Sequence, residues 1–185
     1  DSVISLDANQ SIEIATNKHR QILSVKAFNL QAQMLLDEQD IDQGNLENSV
    51  NVIISTMIQN GYLDENKNVV MVSVENQSTE KANDLAVSLN QVIKDSATAQ
   101  NIATTVVMQA VVPDQGAVAQ AEQYSVSAGK LIVMKEIVAA DSSLTMDALA
   151  TLSLTELLED SKKKAVDLTN IIQIDPNQPL SNTDT

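Results

Sequence analysis

The chain contains no cysteine. Disulfides, zinc–thiolate centres and thiol nucleophiles are therefore excluded. It has one histidine, His19, so a Ser-His-Asp arrangement has a single possible base. That residue lies between Lys18 and Arg20, where neighbouring cations disfavour the imidazolium and a polar turn is the ordinary reading. Tryptophan is absent, and Phe28, Tyr62 and Tyr124 are the whole aromatic complement. Stacking platforms for sugars or single-stranded nucleic acid use more rings than that. The four glycines stand apart at Gly44, Gly61, Gly116 and Gly129, so there is no glycine-rich phosphate loop. Nucleophile-elbow, H-E-x-x-H and EF-hand patterns are also missing. No metal and no cofactor is expected. No run approaches the ~20 apolar residues that cross a bilayer, and no signal peptide is visible. The chain opens at Asp1 without methionine, which reads as a trimmed or processed product.

Positive charge is scarce. Eleven Lys and Arg stand against 25 Asp and Glu, for a net charge of −14. Phosphate backbones and anionic lipid surfaces would be repelled, so neither a nucleic-acid partner nor direct membrane binding is expected. The basic runs Lys18-His19-Arg20 and Lys162-Lys163-Lys164 read as a solvated turn and a helix end. The acidic run from Asp37 to Asp42 reads as a solvated loop before it reads as a weak calcium site. Asp7 and Glu13 are paired carboxylates that nothing sets across a cleft, so a glycosidase pair is unsupported.

What is present is an apolar core. Hydrophobic residues make up 43% of 185, enough for one domain with a helical appendage. Val3 to Leu6 begins an extended segment. Ser11 to Thr16 alternates with period two, and Gln21 to Phe28 follows a polar turn, with Leu23, Val25 and Ala27 on one face; these make a hairpin. Leu30 to Leu36 reads as a short helix or an excursion. Asn45 can cap a helix carrying Leu46, Val50, Ile53, Ile54 and Met57, which Asn60-Gly61 ends. Val69 to Val74 is a near-continuous apolar strand of central type. Ser78 can cap a helix with Ala82, Leu85, Ala86, Leu89 and Ile93 as its stripe, and Asn101 to Val112 reads as a strand ended by Pro113. The order is ββαβαβ, which predicts an α+β fold: a two-layer SEA-like or ferredoxin-like sandwich over residues 1–113. Residues 114–168 read as a small helical subdomain, with Ser127, Thr145 and Ser153 as caps. Residues 169–185, which include Pro176 and Pro179, read as a flexible linker.

One stretch carries more. Ser5-Leu6-Asp7-Ala8-Asn9-Gln10-Ser11-Ile12-Glu13 resembles the opening of the extracytoplasmic domain of RsgI-type anti-sigma factors of Gram-positive bacteria, where a strand has the form S-L-D-x-N-P-S-I-E. The resemblance continues through Val25 to Asn29, Ile58 to Leu63, Ala121 to Lys130 and Leu144 to Leu158, and so covers about residues 2–160. It implies a signalling role on the outer face of a single-pass bacterial membrane protein. Its implied partners are a sigma factor, held by a cytoplasmic segment absent here, and a membrane protease that acts on the full-length protein. It also implies self-cleavage at the Asn-Pro bond, the two pieces staying paired through the sheet until a signal separates them. Regulated intramembrane proteolysis then frees the sigma factor.

Such a cut has a simple chemistry. The Asn side-chain nitrogen attacks its own backbone carbonyl, a succinimide forms, and the next residue leaves as an amine. The amide is a poor nucleophile, so the fold must supply orientation and strain. Proline after Asn blocks the competing attack of a backbone N–H that leads to deamidation, and it restricts the residue before it. By the resemblance, Asn9 is the self-cleavage nucleophile and Gln10 the leaving side, with Asp7 and Ser11 as orienting groups. Position 10 departs from the pattern, being Gln where the family has Pro. Three explanations stand: a paralogue that no longer cuts, a substitution that traps the intact chain, or a fold that still cleaves Asn9–Gln10. The expectation is an uncut, regulatory chain and no conventional enzyme. The alternative is a non-cleaving adhesion or scaffold module of the cell surface. A hydrolase would need a carboxylate-only mechanism in a cleft of converging acids.

Overall fold

The computed structural model describes residues 1–173. Strands β1 (Ser2–Asp7), β2 (Ser11–Thr16) and β3 (Ile22–Ala27) come first, then helices α1 (Leu30–Asp37) and α2 (Leu46–Gln59). Strand β4 (Val69–Glu75), helix α3 (Thr79–Ala99) and strand β5 (Thr105–Val111) complete a five-stranded sheet of order β3-β2-β1-β4-β5. Four short helices follow: α4 (Gln115–Tyr124), α5 (Ala128–Ala140), α6 (Met146–Ala150) and α7 (Leu154–Lys163). The class is α+β, as the alternation of strand and helix patterns predicts.

The run at residues 3–6, expected only as an extended segment, is a full strand and the central one. β1 pairs antiparallel with β2 on one side and with β4 on the other. β4 and β5 run parallel, which requires a crossover, and α3 supplies it.

Alternation along the strands sorts side chains to two faces. Ile4, Leu6, Ile12, Ile14, Val70, Val72, Val106 and Met108 point to one core, covered by α1, α2 and α3. This sheet and these helices form the two-layer sandwich. Met71 and Val107 point the other way, into a second core with Leu131, Val133, Met134 and Ile137 of α5 and Leu154 and Leu157 of α7. β4 is buried on both faces from Val70 to Val74, which accounts for its continuous apolar run. Each fully buried Leu or Ile contributes roughly 1.5–3 kcal/mol, so both faces matter to stability.

Helix starts follow local chemistry. The side chains of Asn45, Ser78, Ser127, Thr145 and Ser153 each accept an N–H of the first turn, as their positions predict. Gly61 sits at φ 75 after α2, the left-handed position that glycine reaches without strain.

Three expectations need correction. Leu23 does not share a face with Val25 and Ala27. A register shift between Ala15 and Thr16 pairs Thr16 with Ile22, so Ile22 enters the core and Leu23 is the bulged, exposed residue. The strand placed at 101–112 begins only at Thr105. α3 runs on to Ala99, and Asn101 turns the chain at φ 61, a conformation Asn tolerates. Finally, the chain does not leave the domain at 169. Leu168 and Ile172 are buried, and Gln173 exchanges backbone bonds with Met108, at 2.6 and 2.8 Å, on the open edge of β5. Two apolar residues spaced four apart, Leu168 and Ile172, anchor this stretch. The rest of the expected linker, 174–185, lies outside the described residues.

Candidate functional site

Asp7 ends β1 and Ser11 opens β2, and the two residues are register partners. Between them lie Ala8, Asn9 and Gln10. The Ala8 N–H donates to the Gln10 carbonyl at 3.0 Å, so Asn9 alone forms the apex of the hairpin. None of these three residues has a positive φ. Their arrangement therefore rests on hydrogen bonds from neighbours rather than on a left-handed backbone.

The neighbours come from two directions. The Ala8 carbonyl accepts the Leu154 N–H, at the start of α7, at 3.1 Å. Gln10 is 1% exposed, and its Nε2 donates to Gln31 Oε1 of α1 at 2.9 Å. The Gln10 Oε1 is buried without a partner among the described residues. Asn9 is half-buried, and among the described residues its side chain has no hydrogen-bond partner.

Directly behind the apex sits a buried polar network. Asp7 is fully buried; its Oδ1 accepts from Ser11 Oγ at 2.5 Å and its Oδ2 from Ser127 Oγ at 2.6 Å. Ser127 also accepts the Lys130 N–H at 3.0 Å as the cap of α5. The Lys130 ammonium is buried and donates to the carbonyls of Ala150 and Leu152 at 3.0 and 2.6 Å. Burial pushes the Asp7 carboxyl above its ordinary value, against the pull of the Ser11 and Ser127 hydroxyls and the Lys130 charge. Burial likewise lowers Lys130, opposed by the charges of Asp7 and Glu156.

One register row further along the same face, Ser5, Ser73 and Gln109 lie side by side on β1, β4 and β5. The Ser73 hydroxyl donates to Gln109 Oε1 at 2.9 Å. α5 crosses this row at Gly129, where an added Cβ would stand 2.0 Å from Ser73 Oγ and 2.6 Å from Gln109 Oε1. Only a residue without a side chain lets the helix approach the sheet so closely. Glu13 continues the row on β2 and lines an open cleft with Lys26, Glu75 and Glu122. Burial raises Glu13, with Lys26 opposing; burial also raises Glu75, with Glu13 adding to it.

Of the residues singled out from sequence, Asp7 and Ser11 are in contact, and Asn9 and Gln10 are the loop they close. The acidic run 37–42 is exposed or half-buried, and among the described residues no group of three or more His, Asp or Glu converges as a metal site. Two members of the network were not foreseen as such. Both lie in the 121–130 block of the resemblance, where Ser127 reads as a helix cap and Lys130 carries no assigned role. The spacing Ser127-x-x-Lys130 signalled the cap and not the partner 120 residues away. Among the described residues no helix is long and apolar enough to cross a membrane.

Known proteins share this arrangement of sequence. The profile of the anti-sigma factor RsgI-like central domain matches residues 1–136. Anti-sigma-I factor RsgI7 of Acetivibrio thermocellus is 24% identical over 151 residues, 79% of this chain and 27% of that protein. Anti-sigma-I factor RsgI9 of the same organism is 23% identical over 161 residues, 84% of this chain and 23% of that protein. Anti-sigma-I factor RsgI5, also from that organism, is 32% identical over 71 residues. The chain thus spans about a quarter of the length of the first two relatives. The family match covers both the hairpin that carries Asn9 and the start of α5 that braces it, and the chain belongs to the family of RsgI-like anti-sigma factor central domains.

Proposed function

We propose that this chain is the extracytoplasmic signalling domain of a membrane-bound anti-sigma factor, built to retain its own first strand. Sigma-factor binding belongs to a cytoplasmic segment outside this chain, and a membrane protease acts on the full-length protein after the strand is released. The sandwich over 1–113 is the strand-holding part, and 114–168 is a helical part packed on it.

The observation that carries the reading is the position of Asn9. A cut after Asn9 would leave residues 1–9 as a separate piece, and that piece is the whole central strand of the sheet. It would stay bound through register pairs to β2 and β4 and through the buried Ile4 and Leu6. The cut itself is self-contained. Asn9 Nδ2 attacks the Asn9 carbonyl carbon, a new N–C bond closes the succinimide, and the bond to the residue 10 nitrogen breaks. One Nδ2 proton ends on the departing amine, and water later opens the ring. Asp7 and Ser11 orient the hairpin; Asn9 is the nucleophile.

In the present chain Gln10 stands on the leaving side, and its buried, hydrogen-bonded side chain favours the intact form. The test is intact mass under denaturing conditions for this chain and for Gln10→Pro. The expected result is one full-length mass here and two fragments split after Asn9 in the variant, their masses summing to the parent before ring opening. Persistent full-length Gln10→Pro would remove self-cleavage from the reading and leave the non-cleaving scaffold or adhesion module.

A further inference from the structure

The turn at Asn9 is tied into a closed circuit of hydrogen bonds that runs through the C-terminal helices. From Asp7 the circuit passes to Ser127 Oγ (2.6 Å) and from Ser127 to the Lys130 N–H (3.0 Å). The Lys130 ammonium then binds the carbonyls of Ala150 and Leu152. Two residues on, the Leu154 N–H returns to the Ala8 carbonyl. Asp7 and Ala8 are consecutive, so the ring closes on the residues that precede Asn9. Every side chain in it is buried: Asp7 at 0%, Ser127 at 0% and Lys130 at 6% exposure.

A buried ammonium is costly unless its donors are met. Here its two bonds go to the carbonyl of Ala150, the last residue of α6, and to that of Leu152 in the turn before α7. That choice fixes the turn carrying Leu154, and through Leu154 the Ala8 carbonyl. The Ser127 hydroxyl fixes the other end, through the carboxylate that also receives Ser11. Attack by a weak amide nucleophile depends on such orientation, and a displacement near 1 Å can cost on the order of 100-fold in rate.

We infer that Ser127 and Lys130 are positioning residues for self-cleavage at Asn9, acting on the turn through Asp7 and Ala8 from a part of the chain more than a hundred residues away. This rests on the self-cleavage reading. Neither residue touches the reacting atoms. The helical part thereby supports the turn from outside the reacting atoms, and disturbing α5 or the α6–α7 turn changes the rate of the cut in a chain carrying Gln10→Pro.

The test uses the full chain carrying Gln10→Pro, refolded from denaturant, with the cut fraction followed by intact mass. Ser127→Ala and Lys130→Met should each slow cleavage by about tenfold or more. Ser127→Thr, which keeps the hydroxyl, should recover most of the rate; a purely packing role would give no such rescue. Hydrogen exchange on the uncut Gln10 chain provides a second readout. Both Ser127→Ala and Lys130→Met should expose the Leu154 and Ala8 amides while the β4 and β5 amides stay protected. Cleavage of folded Ser127→Ala and Lys130→Met at the parent rate, or unchanged Leu154 exchange in both, would overturn the positioning role and leave self-cleavage standing. Failure of Gln10→Pro itself to cut would overturn the self-cleavage reading, and this inference with it.

Discussion

The Ser127 hydroxyl and the Asp7 carboxylate meet at 2.6 Å although 120 residues separate them in the chain. The bond joins the last residue of the central strand to the cap of α5. Asp7 cannot be read as a strand-end residue alone, because one of its oxygens serves the hairpin and the other serves α5.

Stability should rise as pH falls from neutrality toward the ordinary carboxylate values of 3.8 and 4.5. Asp7, Glu13 and Glu75 all have folded values raised by burial, so the folded state takes up protons before the unfolded one does. Protonation also relieves a net charge of −14. The opposite case is Asp141, held at about 2 by its bond from Lys164; its contribution is present above the ordinary value and is lost as pH falls through the folded one. The urea midpoint should therefore climb on mild acidification and then drop in strong acid. Asp7→Asn should flatten the climb without abolishing it, because Glu13 and Glu75 remain. A midpoint that falls steadily from neutrality would contradict this.

Gly129→Ala should destabilise the chain by about 1–3 kcal/mol. The new methyl meets Ser73 Oγ and Ser73 Cβ, the latter at 2.7 Å, so α5 must lift from the sheet. Ser73→Gly should restore part of the loss when combined with it. A double-mutant cycle by urea denaturation checks the coupling, and strict additivity would show that the helix yields elsewhere.

Gln10→Met should stabilise the uncut chain by roughly 1 kcal/mol, because it removes a buried oxygen without a partner at similar volume. Gln31, the partner of its amide, is exposed and can turn to solvent. Equilibrium unfolding at neutral pH measures the difference, and a lowered midpoint would mean that the Gln10–Gln31 bond outweighs the orphan oxygen.

Leu6→Ala should cost about 2–5 kcal/mol in the intact chain, as a fully buried leucine of the central strand. In a cut Gln10→Pro chain the same change should show as dissociation of residues 1–9, readable by size-exclusion chromatography under native conditions. Tight retention of the fragment despite Leu6→Ala would place the holding energy in the backbone ladder.

Much of the fold was legible because its signals are local. Five helix caps announced themselves through one polar side chain before an apolar run, and Gly61 marked the end of α2. The buried period of α3 was equally plain. The misses share a cause, since each depends on a distant partner. Leu23 looks like a core residue until the register of β2 forces the bulge. Ile172 and Gln173 look like the start of a tail until the open edge of β5 receives them. At the candidate site, Asp7, Asn9 and Ser11 lie within one short stretch and were found together by resemblance. Ser127 and Lys130 have ordinary local roles, and only the tertiary structure brings them beside Asp7.

The directions of the strands bear on how the sheet responds to pulling. β1 runs opposite to β4, β4 runs with β5, and Gln173 pairs antiparallel to β5, so the chain passes Gln173 in the same direction as β1. Tension applied between Asp1 and the backbone beyond Gln173 would therefore draw β1 along its own axis. The ladder bonds lie across that axis and would share the load in shear rather than open one after another like a zipper. In an intact chain the Asn9 turn transmits the pull onward into β2. In a cut chain that route is gone, and the mechanical threshold becomes the shear strength of a single six-residue strand.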